Sequence, residues 1–248
     1  TDNNDNAGSD GIPDANINLF SFSTMFTGAT GLSGNILGFY DSFFDVYETT
    51  AVMNNASGNG LNTILWDVGS FTGSAGNDTI SLSGQTALNT FDGGAGNDSI
   101  TVSGNVRILT INGGAGDDTL STAIGALTSK TVILDGGTGT ADTLSLTGGG
   151  TLTAAEMISF TKWETWSMGS AGTYNLTLHD NNAGTGALTV NAAAATVLTF
   201  DGSAETVGTF TVTGSSGADT ITGGAKGDTL IGGTGGDTYV SRALGGDN

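Results

Sequence analysis

Aspartate recurs at a fixed place in a glycine-rich phrase, of which GGAGNDSIT at residues 93–101 is a clear copy. Glycines at its first, second and fourth places permit positive φ and leave the carbonyl oxygens uncovered, so the turn can direct several of them toward one point. The aspartate in sixth place adds a carboxylate. Hard oxygen ligands without His or Cys favour calcium over zinc or copper. Seven copies occur, beginning at Gly73, Gly93, Gly113, Gly136, Gly214, Gly223 and Gly232.

The spacing of the copies predicts that their aspartates stack. The first three copies lie 20 residues apart and the last three lie nine residues apart. If successive coils lie about 4.8 Å apart, as strands in a sheet do, Asp78, Asp98 and Asp118 form a column of like charges. Each neighbouring pair then repels by roughly 1 kcal/mol even in bulk water. A divalent cation between coils would turn this cost into adhesion, so we hypothesise that metal binding supplies folding energy.

The segments around the phrase predict strands. LNTFDGG, LTINGG, VILDGG and LTFDGS each place an alternating strand before the turn, and these strands end at Asp92, Asn112, Asp135 and Asp201. A unit of about 20 residues cannot bury its own apolar face and must stack on its neighbours. We therefore predict an all-β fold, a right-handed parallel β-roll or β-helix solenoid. Its glycine loops lie on one edge in the first block and on both edges where the spacing is nine. The eighth residue of each copy is expected to point into the core: Ile80, Ile100, Leu120, Leu144, Ile221, Leu230 and Tyr239.

Four regions follow from this pattern. Residues 1–70, with the aromatic FYDSFFDVYET, are interpreted as an N-terminal cap or an assembly region, since an open solenoid end invites pairing. Residues 71–148 form the first repeat block, 149–213 a repeat-poor β-solenoid spacer, and 214–248 the nonapeptide block. Within the spacer, TAAEMISFTKWETWSM is a helix or bulge, an apolar interruption that packs over an open face, or a further solenoid coil with large side chains.

Composition narrows the class of protein. Twenty-four acidic residues against five basic ones give a net charge of −19 over 248 residues, which disfavours nucleic acid and anionic membranes as partners. No apolar run approaches the 18 residues of a membrane span. The absence of cysteine excludes disulfides, thiol catalysis and zinc–thiolate sites. This composition fits a bacterial protein outside the cell, and the first residue, Thr1, suggests a processed chain or a piece of a longer one.

The phrase resembles the G-G-x-G-x-D-x-U-x nonapeptide of the RTX, or haemolysin-type calcium-binding, repeats. The resemblance covers about 70–148 and 214–240. It implies a parallel β-roll with several Ca²⁺ ions between stacked loops, in proteins exported by type I secretion from Gram-negative bacteria. The Thr/Ala/Gly/Val-rich segments also look like the S-layer-like members of the family.

By position, the resemblance implies one carboxylate ligand from each copy, together with carbonyls of the loops. The implied carboxylates are Asp78, Asp98, Asp118, Asp142, Asp219, Asp228 and Asp237. The implied loop positions are Gly73, Ala75, Gly93, Ala95, Gly113, Ala115, Gly136, Thr138, Gly214, Gly223 and Gly232. Two loops depart from the pattern, because Lys226 replaces the fourth glycine and Ala141 lengthens the fourth copy, and we expect incomplete calcium occupancy at both.

Other motifs carry weaker signals. DGIPD at 10–14 resembles the close of a thrombospondin type 3-like calcium loop, but Asn6 and Gly8 stand where that loop has aspartate, and a flexible polar terminus is favoured. The single histidine, His179, excludes an H-E-x-x-H zinc protease and makes a Ser–His–Asp triad improbable.

The glutamates and tryptophans do not point to an enzyme. Glu48, Glu156, Glu164 and Glu205 show no spacing that selects a glycosidase pair. Trp163 and Trp166 are suited to stacking on sugars, but packing in the core is the stronger interpretation.

The sequence thus predicts a secreted, calcium-loaded structural protein without enzymatic activity, located outside the cell or at the cell surface, and the resemblance implies a Gram-negative bacterium. We expect a subunit or segment of a surface layer or filament that forms a homo-oligomer or polymer, with cell-surface polysaccharide as a further candidate partner. Two alternatives remain: the RTX portion of a larger secreted enzyme or toxin, and an adhesin that binds glycans through calcium. No secretion signal is recognised in VSRALGGDN, so export is expected to depend on further sequence.

Overall fold

The computed structural model describes residues 50–52, 62–66, 70–73, 75–83, 88–104, 108–128 and 131–240. Most of the region interpreted as an N-terminal cap, including DGIPD and Glu48, lies outside these residues. The two described strands within that region already pair with strands of the first repeat block.

Short strands joined by tight loops make up almost all of the described chain. The strands are β1 (Thr50–Val52), β2 (Asn62–Trp66), β3 (Ser70–Thr72), β4 (Thr79–Ser83), β5 (Leu88–Asp92), β6 (Ser99–Ser103), β7 (Ile108–Asn112), β8 (Thr119–Ala123), β9 (Val132–Asp135), β10 (Thr143–Thr147), β11 (Gly150–Leu152), β12 (Phe160–Thr161), β13 (Thr165–Met168), β14 (Thr173–Thr177), β15 (Ala187–Asn191), β16 (Val197–Asp201), β17 (Thr209–Thr213), β18 (Thr220–Thr222), β19 (Thr229–Ile231) and β20 (Thr238–Val240). The two one-turn helices are α1 (Ile124–Leu127) and α2 (Ala154–Met157).

These strands form a parallel β-solenoid, as the repeat spacing predicts. Sheet I has nine strands in the order β2-β4-β6-β8-β10-β13-β15-β17-β19. The opposite side consists of sheet II, β1-β3-β5-β7-β9-β12, and sheet III, β11-β14-β16-β18-β20. Because the strands of sheet I are parallel, the loops that enter it all lie at one edge, here called the first edge. The loops that leave it lie at the second edge.

Alternation along each strand builds the core. In β6, Ile100 and Val102 are buried while Ser99 and Thr101 face outward. Each fully buried aliphatic side chain of this kind contributes about 1.5–3 kcal/mol. Larger side chains fill the core further along, where Phe200 and Phe210 meet edge to face with ring centroids 5.2 Å apart.

The eighth-position residues enter the core with one exception among the seven. Ile80, Ile100, Leu120, Leu144 and Ile221 are at most 1% exposed, and Leu230 is half-buried. The prediction is wrong for Tyr239, which is 49% exposed. Its strand, β20, is the outermost described strand of sheet III, so no described coil covers it. Its hydroxyl instead accepts a hydrogen bond from the amide of Gly232 at 2.6 Å.

One coil changes the face of the solenoid opposite sheet I. In that coil β11 pairs with β14 in sheet III, whereas β12 pairs with β9 in sheet II. Between them lies α2, whose first turn is closed by a capping box of Thr153 and Glu156. The segment TAAEMISFTKWETWSM therefore contains both predicted features, a helical turn and further strands.

Among the described residues, none of the helices has the length and apolar character that crossing a membrane would require.

Candidate metal centre

Four glycine loops stack at the first edge. Residues 73–78, 93–98, 113–118 and 136–142 lead into β4, β6, β8 and β10, which are adjacent in sheet I. Each loop thereby lies directly over the next, in the register that the strands impose.

The aspartates of these loops form the predicted column. The amide of Asp78 donates to Oδ1 of Asp98, that of Asp98 to Oδ1 of Asp118, and that of Asp118 to Oδ1 of Asp142, each at 2.7 Å. All four residues are at most 2% exposed. Hydrogen bonds between coils thus hold one oxygen of each successive carboxylate in place.

In three of these carboxylates the second oxygen has no protein partner. Oδ2 of Asp98, Asp118 and Asp142 is buried and accepts no hydrogen bond. A buried carboxylate oxygen without a donor or a cation is costly, because the charge has left water without compensation. The column therefore has an unmet requirement for a positive group.

Burial and mutual repulsion show in the acid–base properties of the column. Burial, reinforced by the charges of Asp78, Asp118 and Asp92, raises the pKa of Asp98 to about 7, against the opposing hydrogen bond from the Asp78 amide. Burial also raises the pKa of Asp118 to about 6, with the charge of Asp142 adding to the effect. The pKa of Asp142 is raised by burial and by the charge of Glu164.

Carbonyl oxygens lie beside the unpartnered carboxylate oxygens. A methyl group on Gly93 would collide both with Oδ2 of Asp98 and with the carbonyl oxygen of Gly113 in the next coil. The same pair of collisions recurs at Gly73 and at Gly113. Each gap between these coils therefore gathers a carboxylate oxygen and a main-chain oxygen of the following loop around a bare glycine.

Third-position residues hold the loops together. Ala115 forms parallel bridges with Ala95 and with Thr138. The carbonyl oxygen of Ala115 accepts a hydrogen bond from the amide of Gly96 at 2.7 Å. The amide of Ala115 donates to the carbonyl oxygen of Gly94 at 2.9 Å. The third positions were predicted as carbonyl ligands. The Ala115 carbonyl oxygen already links two coils through one lone pair, and its second lone pair remains for a cation.

Strand-end aspartates shape the entry to each turn. Oδ1 of Asp92 accepts from the amide of Gly94 at 3.0 Å, and Oδ1 of Asp135 accepts from that of Gly137 at 2.8 Å. Asp201 makes the same contact with Ser203 at 3.0 Å. The sequence places these residues at strand ends, and the structure adds that they close the turn.

The lengthened fourth loop keeps its aspartate in the column. Oδ1 of Asp117, at the surface of the preceding loop, accepts the amides of Thr140 and Ala141 at 3.0 and 3.1 Å. The extra residue is therefore held outside the stack, and Asp142 stays aligned with Asp118.

The nonapeptide block places its loops at both edges, as predicted. Residues 214–219 and 232–237 connect sheet I to sheet III at the second edge, while 223–228 returns to sheet I at the first edge. The amide of Asp219 donates to Oδ1 of Asp237 at 3.1 Å, which repeats the ladder contact of the first block. Lys226 is exposed, and Asp228 beneath it is 3% exposed.

The carboxylates of this block are better satisfied than those of the first. Oδ2 of Asp219 accepts from the amide of Ser215 at 2.6 Å, and Oδ2 of Asp228 accepts from that of Gly224 at 2.7 Å. The two blocks therefore share a sequence motif but differ in whether Oδ2 of the motif aspartate accepts a hydrogen bond from its own loop.

Glu164 joins the column although no repeat phrase contains it. The amide of Asp142 donates to Oε2 of Glu164 at 2.8 Å, in place of the next aspartate. One signal was present in the sequence: Glu164 precedes Thr165 and Trp166 as Asp142 precedes Thr143 and Leu144, and these strands pair in that register.

The tryptophans, two further glutamates and the histidine have structural contacts. Trp163 and Trp166 are buried in the core at 3% and 0% exposure, as favoured from the sequence. Glu156 caps α2, and Oε1 of Glu205 accepts the amides of Val207 and Gly208. His179 accepts a hydrogen bond from the amide of Asn181 at 3.2 Å through Nδ1.

The donor set fits calcium rather than a transition metal. Nowhere in the described part of the chain do three His, Cys, Asp or Glu side chains gather into a metal-binding group. A cation in the gaps would thus be held by one or two carboxylates and several carbonyl oxygens, the ligands that Ca²⁺ accepts in large number. The unpartnered Oδ2 atoms are where such an ion is required.

Comparison with known proteins agrees with this chemistry. A family model described as the RTX calcium-binding nonapeptide repeat matches four copies, over residues 70–100, 110–126 and 211–243. No curated protein and no solved structure matches the chain. The matched ranges contain six of the seven predicted aspartate ligands: Asp78, Asp98, Asp118, Asp219, Asp228 and Asp237. Fold, loop chemistry and repeat match together show that the chain contains RTX calcium-binding nonapeptide repeats.

Proposed function

We propose that this protein is a non-enzymatic structural component of a bacterial surface layer or extracellular filament, in which calcium sets rigidity and assembly. RTX repeats are typical of secreted proteins, which supports a location outside the cell. The net charge of −19 suits a compartment in which calcium is abundant.

The observation that carries the proposal is the buried, unpartnered Oδ2 of Asp98, Asp118 and Asp142 within the carboxylate column. Asp78, Asp98, Asp118 and Asp142, with the carbonyls of their loops, would hold the ions. Bound calcium supplies positive charge between coils, so that each gap becomes an attractive contact. Because the gaps follow one another along the solenoid, ligation would stiffen the stack as a whole.

Assembly is supported by the outer surface of sheet I. Two columns of small polar side chains run along it in strand register, and we call them the hydroxyl face. All of these residues are exposed or half-buried and none is charged: Thr79, Ser99, Thr119, Thr143, Thr165, Thr189, Thr211 and Thr229 in one column, and Ser81, Thr101, Ser121, Ser145, Ser167, Asn191 and Thr213 in the other. The buried column and Asp117 instead lie at the first edge. A neutral face lets highly charged molecules approach side by side.

Electron microscopy with and without calcium tests the proposal. We expect ordered sheets or filaments in millimolar calcium that disperse when EGTA is added and return when calcium is restored. Dispersed monomers in both conditions would overturn the assembly role. If those monomers still folded on calcium addition, the chain would serve as the RTX portion of a larger secreted protein.

A further inference from the structure

The three-residue loop 162–164 extends the carboxylate column beyond the repeat motif. We propose that this loop and loop 136–142 enclose an additional calcium site, in which Glu164 supplies the carboxylate that aspartate supplies in the repeats. This inference rests on calcium binding by the repeats themselves. The family match ends at residue 126 before resuming at 211, so it includes neither loop.

Register places Glu164 on the next rung of the ladder. Thr143 pairs with Thr165, which puts Asp142 and Glu164 side by side in adjacent coils. The Asp142 amide donates to Oε2 of Glu164 at 2.8 Å, as the Asp98 amide donates to Asp118 at 2.7 Å. The extra methylene of glutamate lets its carboxylate reach the rung from a loop of three residues instead of six.

The carbonyl contribution is also reproduced. A methyl group on Gly136 would collide with the carbonyl oxygen of Lys162, just as one on Gly113 would collide with that of Gly136. Lys162 has φ of 59°, the one positive value among the described non-glycine residues. Gly113 and Gly136 present the equivalent carbonyls without a positive φ, so the short loop reaches this place through a different backbone conformation.

An unpartnered oxygen independently indicates a ligand here. Asp142 is 1% exposed; its Oδ1 accepts from the Asp118 amide on one side, and its Oδ2 has no partner. The ammonium of Lys162 does not supply that partner, because Nζ pairs with Oδ2 of Asp135 at 3.0 Å and is largely exposed. A methyl group on Gly139, a residue that lines the adjoining cavity with Lys162 and Glu164, would meet both carboxylate oxygens of Asp142, so the unpartnered oxygen lies beside that glycine. No positive group compensates it.

A cavity adjoins this gap. Its volume is about 380 Å³, and its lining includes Gly137, Gly139, Lys162 and Glu164 together with residues 181–187 of the next coil. The repeat loops are covered by loops of similar shape, whereas this one opens to solvent on its far side. We expect water to complete the shell of the ion and its exchange to be faster than in the repeats.

Calcium titration by isothermal calorimetry on the full chain tests the site, with E164Q as the variant. Glutamine keeps an acceptor for the Asp142 amide but removes the charge. We expect E164Q to bind one ion fewer than the wild type, or to bind one ion at least tenfold more weakly. The matched control is E156Q, which loses the same charge on α2 and is expected to bind like the wild type.

Terbium luminescence provides a second readout, because Tb³⁺ occupies calcium sites and is sensitised by nearby tryptophan. Trp163 adjoins Glu164 in the chain, so we expect tryptophan-excited emission from the wild type and E156Q, and loss of most of it in E164Q. Equal ion numbers, affinities and emission in E164Q and the wild type would overturn the inference. So would Tb³⁺ bound by the wild type without tryptophan-sensitised emission. A wild type that binds no ion would instead contradict calcium binding by the repeats.

Discussion

At the scale of the residue, the same motif aspartate has two environments. In the first block Oδ2 of Asp98 and Asp118 is buried without a partner, whereas Oδ2 of Asp219 and Asp228 accepts an amide four residues earlier in its own loop. A carboxylate satisfied by its own loop can stay ionised when buried without a cation, whereas an unsatisfied one must bind a proton or a cation to avoid a large cost. We therefore expect calcium to contribute more folding free energy in the first block.

Replacing the central aspartate of the column tests this at one residue. D118N keeps an acceptor for the Asp98 amide while removing the charge that two gaps share. We expect calcium affinity at those gaps to fall at least tenfold, about 1.4 kcal/mol per ion. The calcium-induced rise in Tm should shrink accordingly. D117N is the control, since the same charge is lost one residue away at the exposed fifth position. Equal calcium responses in the two variants would refute a ligand role for Asp118.

The raised pKa values predict an unusual pH dependence. The pKa of Asp98 is about 7 and that of Asp118 about 6, above the ordinary 3.8, so the folded chain retains protons that the unfolded chain releases. Stability of the metal-free protein should therefore be greatest at the acid end of this window and fall as the pH rises from about 4 to about 7. Calcium needs the deprotonated carboxylates, so its stabilising effect should grow over the same range.

Thermal melting at pH 5 and pH 8, in calcium-free buffer and in saturating calcium, measures both trends. The double variant D98N/D118N controls for general charge repulsion, and its metal-free Tm should change less with pH than that of the wild type. A wild-type Tm that rises with pH in calcium-free buffer would show that the buried column does not control stability.

At the scale of the element, the first glycine of each loop determines how closely coils approach. A side chain on Gly113 would meet the Gly136 carbonyl and Oδ2 of Asp118, whereas one on Gly125 in α1 would meet nothing within 4 Å. We expect G113A to destabilise the calcium-bound protein by about 1–3 kcal/mol through overpacking. G125A should instead stabilise it by about 0.5–1 kcal/mol, because alanine favours the helix. Chemical denaturation in calcium compares the two, and equal effects would contradict the packing argument.

The sequence predicted the elements that repeat and missed those that do not. A spacing of 20 residues is enough to predict the column of Asp78, Asp98 and Asp118, because parallel stacking converts equal spacing into contact. Glu164 was missed because its loop lacks the glycines of the motif. Only the strand register places this residue in the column. The exposure of Tyr239 was missed for a related reason: burial at the eighth position requires another coil above it, which the motif itself does not encode.

At the scale of the whole molecule, the contrast between the blocks predicts an order of unfolding. Chelation leaves the first-block column with uncompensated charge, whereas the loops of Asp219 and Asp228 keep their protein donors. Hydrogen exchange followed by mass spectrometry in EGTA should show lost protection first in residues 88–142 and later in 197–231. In calcium both segments should be protected from exchange, and to a similar degree. Simultaneous loss of protection in EGTA would indicate a single cooperative unit instead.

Assembly through the hydroxyl face is also a property of the whole molecule, since eight strands of sheet I must align to create it. Thr119 and Thr189 are exposed on this face, and lysine at both would place two charges where copies pack. We expect T119K/T189K to bind calcium and melt as the wild type does but to form no sheets or filaments by electron microscopy. The control A155K/A194K adds the same charges at exposed positions in α2 and in the β15–β16 loop, and should assemble normally. If both variants assembled alike, the contact would lie elsewhere on the molecule. Because the two columns of the face align only while the coils are stacked in register, the control should also lose assembly in EGTA, which links the ions at the edge to the packing of the face.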